Sequence, residues 1–206
     1  METPRDDAAP ALRLDLGVSP ELVREFFTLL QQGVTVAVRV GCTLAELLAG
    51  EFGLDEAYVE QRITTIFLDS KPVDDVHRAT VRERSTLALS GAMPGLVGAT
   101  MRRGGYYAAM RGAISHREGG GGAQGYGTVR LKLFNLLLPE LGPAFLRRGV
   151  IVATAELVDL FNGVGEAFWP GCRARLDGTP VDPELLRSGV AFAGYGSLLL
   201  RVDYGE

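Results

Sequence analysis

The sequence predicts an α+β protein built from two copies of one β-α-β-α-β-β unit, residues 12–90 and 128–206. A repeat is the first observation behind this. Ala45-Glu46-Leu47, Gly53 and Glu56-Ala57-Tyr58 return as Ala155-Glu156-Leu157, Gly163 and Glu166-Ala167-Phe168 at a constant offset of 110. Leu68-Asp69 with Pro72-Val73-Asp74 returns as Leu176-Asp177 with Pro180-Val181-Asp182 at offset 108. Gly33-Val34 returns as Gly149-Val150 at 116, and Pro20-Glu21-Leu22 as Pro139-Glu140-Leu141 at 119. Matches in one order, with offsets drifting through small loop changes, are the mark of duplication. The second observation is local: short alternating apolar runs are separated by capped, helix-periodic segments.

Leu12, Leu14 and Leu16 alternate with Arg13 and Asp15, which predicts a half-buried strand. Ser19-Pro20-Glu21 starts a helix, whose inner face is Leu22, Phe26, Leu29 and Leu30 and whose stop is Gly33. Val34 to Val40 is β-branched and alternating, a strand. Thr43 with Glu46 three residues on forms a capping box ahead of Leu44, Leu47 and Leu48. Strands follow at Ile63–Leu68 and Thr86–Leu89. The second unit predicts strands Val129–Phe134, Val150–Ala153, Arg173–Leu176 and Ser197–Val202, with helices Pro139–Arg148 and Ala155–Phe161. Trp169-Pro170-Gly171 replaces Val59-Glu60-Gln61 of the first unit, and the Trp reads as a packing residue.

Thr65-Ile66-Phe67-Leu68-Asp69-Ser70-Lys71 and Arg84-Ser85-Thr86-Leu87-Ala88-Leu89 resemble the third strand with its turn, and the last strand, of ubiquitin. Gly41-Cys42-Thr43-Leu44-Ala45-Glu46-Leu47-Leu48 resembles the strand-to-helix passage of the small sulfur-carrier proteins. The units are thus similar to the β-grasp, or ubiquitin-like, family. A β-grasp unit opens with a tight hairpin, whereas here a helix separates the first two strands. In that family, carriers and modifiers use a C-terminal Gly-Gly carboxylate. Met101-Arg102-Arg103-Gly104-Gly105 looks like such a tail but stands in mid-chain, and the chain ends in Asp203-Tyr204-Gly205-Glu206. A proteolytically processed modifier or sulfur-carrier-type protein is therefore one alternative that the resemblance implies.

Residues 91–127 form a connector in which twelve positions are Gly, three are Met, and Arg102, Arg103, Arg111 and Arg117 face the single acid Glu118. Glycine lets a backbone approach a ligand closely and arginine pairs bidentately with phosphate or carboxylate. Arg102, Arg103, Gly104, Gly105, Arg111 and His116 are the candidate ligand-binding residues. Residues 91–116 carry Met93, Leu96, Val97, Met101, Tyr106, Tyr107, Met110 and Ile114, too apolar for a spacer, and are expected to be ordered. Gly119–Gly127 reads as a linker; its match to G-x-G-x-x-G lacks the strand before and the helix after that a dinucleotide site needs.

No convergent catalytic set stands out, and neither a cofactor nor a metal is expected. His77 lies beside Asp69, Asp74 and Asp75, and the Leu-Asp-x-x-Pro-Val-Asp runs read as tight turns with Asp side chains on backbone amides. Cys42 precedes a helix N-terminus without a visible base. Cys42 and Cys172 occupy non-equivalent places in the repeats, so no disulfide framework is expected and the cytoplasm fits. Net charge −4 gives no global field favouring nucleic acid or an anionic membrane, and neither is expected as a partner. Residues 1–11 read as a loose polar tail without the order of a signal peptide. The sequence favours a non-enzymatic binding or assembly module, whose basic connector meets a protein partner, another subunit or a small anion. An enzyme with a site between the repeats, using His116, Arg102, Arg103 and a turn carboxylate, is the other alternative.

Overall fold

The structure, a computed structural model, describes residues 12–93, 95–105 and 125–205. The predicted tail 1–11, and Arg111 and His116 of the connector, lie outside the described residues. The chain is α+β, and it divides into two compact units whose limits differ from those of the repeats. A middle unit spans Leu30–Gly142; a terminal unit combines Met1–Leu29 with Pro143–Glu206.

In the middle unit, strands β2 (Val34–Val40), β3 (Thr65–Leu68), β4 (Lys71–Pro72) and β5 (Thr86–Ser90) come from the first repeat. Strand β6 (Gly125–Phe134) comes from the second, and it begins three residues inside the predicted linker, since Gly125–Gly127 pair with Val40–Val38. Their order is β2-β6-β5-β3-β4. β6 runs antiparallel to β2, with Val34 opposite Leu131, and parallel to β5, with Thr86 opposite Arg130. β3 is antiparallel to β5 and to β4. The two-residue alternation puts Val34, Val36, Val38, Val129, Leu131, Leu133, Leu87 and Leu89 on one buried face. Leu44, Leu47 and Leu48 of the following helix are buried as well. That helix is α2 (Leu44–Glu46), continued by a π turn, Leu47–Glu51. The predicted capping box is formed: Thr43 Oγ1 accepts from Glu46 N at 3.2 Å, and Thr43 N donates to Glu46 Oε2 at 2.8 Å.

α3 (Glu56–Arg62) was not expected from the sequence, although Asp55 caps it by accepting from Tyr58 N at 2.6 Å. The β3–β4 turn is a two-residue hairpin with Asp69 and Ser70 at φ 50° and 65°. Asp69 ties this turn to the start of β5: its N–H donates to Thr86 O at 2.9 Å, and Oδ1 accepts from Thr86 N at 2.8 Å.

In the terminal unit, β1 (Arg13–Val18) comes from the first repeat. Strands β7 (Val150–Ala153), β8 (Cys172–Leu176), β9 (Thr179–Pro180) and β10 (Ser197–Tyr204) come from the second. The order is β7-β10-β1-β8-β9, with β10 antiparallel to β7 and parallel to β1, and β8 antiparallel to β1. The pairing senses match those of the middle unit place by place. β10 takes the place that β6 holds there, and β1 the place of β5.

Two local devices repeat with that correspondence. Asp177 (φ 47°) exchanges hydrogen bonds with Arg13, N–H to O and N–H to Oδ1, both 2.9 Å, as Asp69 does with Thr86. Gly33 (φ 113°) lies against Arg130 and Lys132 of β6, and Gly149 (φ 108°) against Leu199 and Arg201 of β10. The core is Leu14, Leu16, Leu198, Leu200, Val202, Val150 and Val152, together with Leu157 and Phe161 of α6 (Thr154–Gly163). Phe26 and Phe168 close it, with ring centroids 6.0 Å apart.

The helix expected after Ser19 is split: Pro20–Phe26 is a 3-10 helix and only Phe27–Gln32 is α-helical (α1). Ser19 makes no side-chain cap, and Leu22 N reaches back to Ser19 O at 3.0 Å, so the tighter i→i+3 bond satisfies the first turn.

Candidate functional site

The described half of the connector is a loop closed on one residue. Leaving β5, the chain is held at Gly91, whose carbonyl accepts from Thr64 Oγ1 at 3.1 Å. It returns at Arg103, whose N–H donates to Thr64 O at 2.9 Å. Asn135 braces the near side, donating from Nδ2 to Ser90 Oγ at 3.1 Å and to Ala92 O. Within the loop stands the short helix α4 (Gly95–Met101). Its one buried residue is Gly98, where a β carbon would collide with the Met93 carbonyl. Glycine is required there by close approach, not by conformation.

The outer side of α4 is apolar: Leu96 is 73% exposed and Val97 64% exposed. Exposed Leu and Val are common singly, but two adjacent ones on a tethered helix form a presented surface. A turn follows, with Gly105 N donating to Arg102 O at 3.3 Å and Gly104 at φ 59°. Four predicted ligand residues, Arg102, Arg103, Gly104 and Gly105, thus sit together at the end of α4, with Arg102 exposed. Arg103 turns inward. Its Nη1 is buried with no hydrogen-bond partner among the described residues. Burial pulls its guanidinium below the usual arginine value, opposed by the nearby acids Glu60 and Asp74. The same acids would oppose a small anion at that side chain.

The remaining candidates have structural duties. Asp69 accepts from Ser85 Oγ at 3.0 Å as well as from Thr86, and His77 is placed by its own N–H on Asp75 Oδ1 at 2.9 Å. Among the described residues no group of three His, Cys, Asp or Glu is placed to hold a metal ion. Cys42 Sγ donates to Arg39 O at 3.4 Å, and burial pushes its thiol up. Burial alone pushes Cys172 up to about 11. Both thiols are protonated near neutrality, which removes the helix-terminus activation considered for Cys42. Trp169 packs against Phe161 and Phe168 at 5.5 and 5.1 Å under Arg187, as a packing residue would.

On the α3 side, Glu140 of α5 (Leu137–Arg148) accepts from Tyr58 Oη at 2.7 Å and pairs with Arg62. The two donors hold its carboxyl below the ordinary value, Arg62 most of all. The Thr64 closure and the presented Leu96–Val97 pair had no sequence signal, because both depend on which backbone groups meet across the fold. Comparisons with protein-family models, curated proteins and solved structures found no match. Among the described residues, no helix is long and apolar enough to cross a membrane.

Proposed function

We propose that this chain is a non-enzymatic binding or assembly module of two β-grasp-like units, acting in the cytoplasm, with α4 and Arg102 as its contact surface for a protein partner. The exposed Leu96–Val97 pair on a loop tied at both ends to Thr64 carries this reading. A tethered loop loses little conformational freedom on docking, so the apolar surface it buries counts more fully toward affinity. Each side chain contributes about 1.5–3 kcal/mol if fully covered. The β-grasp reading is supported by β6, which pairs antiparallel with β2 and so fills the role of the missing opening hairpin.

A photo-crosslinking amino acid at position 96, in the full chain expressed in its native cells, tests the proposal. It should give one discrete adduct, homomeric or heteromeric by mass. Val97→Asp should abolish the adduct while the melting temperature stays within a few degrees. A pattern of adducts unchanged by Val97→Asp, or no adduct at all, would remove α4 as the contact surface.

A further inference from the structure

The charge of the chain is sorted by the pleat of the middle unit. The strand positions facing away from the core include Arg39 of β2 and Arg130 and Lys132 of β6, and among the outward positions of β2, β5 and β6 there is no carboxylate. Arg82 and Arg84 lie beside this set in the loop ahead of β5; both are exposed, and Arg84 N donates to Thr128 O at 2.8 Å. Three acids lie close: Asp69, which accepts from Ser85 Oγ and Thr86 N beside Arg84, and two more. Glu51 pairs with Arg39 at 2.9 Å, and Glu83 accepts from Thr128 N at 2.9 Å and from Thr128 Oγ1 at 2.8 Å. Among the described residues, this face and the loop beside it carry five cations against three carboxylates, a local excess of positive charge on a chain of net charge −4.

On the same face Tyr126 is 88% exposed, flanked by Gly125 and Gly127, and opposite Arg39 in the β2–β6 register. Its outward neighbours Ala37 and Thr128 are small. They offer no apolar anchors of the kind a protein interface core uses. A bare aromatic ring beside a guanidinium suits an unpaired base, which can stack on it without other apolar contact. Successive outward positions on one strand are about 6.8 Å apart, about twice the 3.4 Å stacked rise of a nucleotide, so cations at alternate residues match an extended backbone.

We infer that the open face of the middle unit's sheet binds single-stranded nucleic acid, with Tyr126 as the stacking platform and Arg39, Arg84, Arg130 and Lys132 along the phosphates. This goes beyond the protein contact at α4 and uses none of its residues.

Fluorescence anisotropy of the full chain with labelled oligothymidine and oligouridine tests it. Binding should be measurable at about 50 mM salt, and log K should fall against log salt with a slope of about −2 to −3.5, as three to five phosphate contacts require. Tyr126→Ala should weaken binding by about 5- to 100-fold and Tyr126→Phe should restore it. The double variant Arg84→Glu, Lys132→Glu should weaken it at least tenfold with an unchanged circular dichroism spectrum. Arg24→Glu, a charge reversal at a side chain 76% exposed on the terminal unit, should leave it unchanged. The inference is overturned by an absence of binding at low salt, or by affinity insensitive to Tyr126→Ala. It is equally overturned by displacement with polyglutamate or duplex DNA as effective as with the single strand, which would mark a surface for anions in general.

Discussion

Glu140 takes hydrogen bonds from two side chains of α3 at once, and this gives the middle unit a defined pH response. Its carboxyl is held low by Arg62 first and Tyr58 second, so the contact contributes stability above the unfolded carboxyl value. That contribution is lost as pH falls through the folded value, in the window below about 4.3. Tyr58 is raised, first by burial and then by Glu140, so its share is present below about 10 and is lost as pH rises beyond that. Glu140→Gln should therefore flatten the acid limb of the melting temperature against pH and leave the neutral region nearly level. An acid limb identical to wild type would assign that limb to other carboxylates.

Glycines offer a second test at the same scale. Gly33 has φ 113°, and a β carbon there would lie 2.6 Å from Arg130 Nε. Gly149 has φ 108° with neighbours at 3.2 Å, while Gly53 has φ 68° and open space. Gly33→Ala should cost about 1–3 kcal/mol, Gly149→Ala nearly as much and Gly53→Ala about 1, read from urea midpoints. Equal costs at all three sites would show that crowding by Arg130 and Arg201 contributes nothing.

Among elements, the provenance of the strands decides what each repeat can do alone. The first repeat supplies β1 and β5, which hold corresponding places in the two units; the second supplies β6 and β10, which hold the places beside them. Residues 12–105 thus lack both partners, and so do residues 125–206. Each fragment expressed alone should show a weak, non-cooperative melt, and an equimolar mixture should recover the cooperative transition of the intact chain. A cooperative transition from either fragment alone would rule out this dependence.

What was legible follows the same line. The capping box at Thr43 and Glu46, the tight turns at Asp69 and Asp177 and the alternation of β2 could be read because each is set by residues a few positions apart; that the two Asp side chains reach the distant amides of Thr86 and Arg13 could not. α3 left a readable signal in its Asp55 cap. The pairing of β1 with β10, and of β6 with β2, could not be read, because alternation says which side of a strand is buried but not which strand lies beside it. The α4 surface failed for a related reason. Leu96 and Val97 counted toward an apolar, packed segment, and in the loop held at Thr64 both are exposed.

At the scale of the whole molecule, a net charge of −4 led to the expectation that nucleic acid is no partner. A sum over the chain carries no information about a face that sheet alternation assembles from β2 and β6, residues far apart in sequence. The exchanged strands have a further consequence, in time. The middle unit has all its strands once Phe134 has been made. β1 is made ahead of β2–β10, yet Asp177, its turn partner, follows Arg13 by 164 positions. At about 5–20 residues per second, a nascent chain carries β1 without that partner for roughly 8 to 33 s. An unpaired apolar strand is an aggregation hazard over such an interval, and charged residues along it are the usual protection. Arg13 and Asp15, which pair at 2.7 Å in the finished protein, alternate with Leu14 and Leu16 and give the waiting strand a charged side during its synthesis.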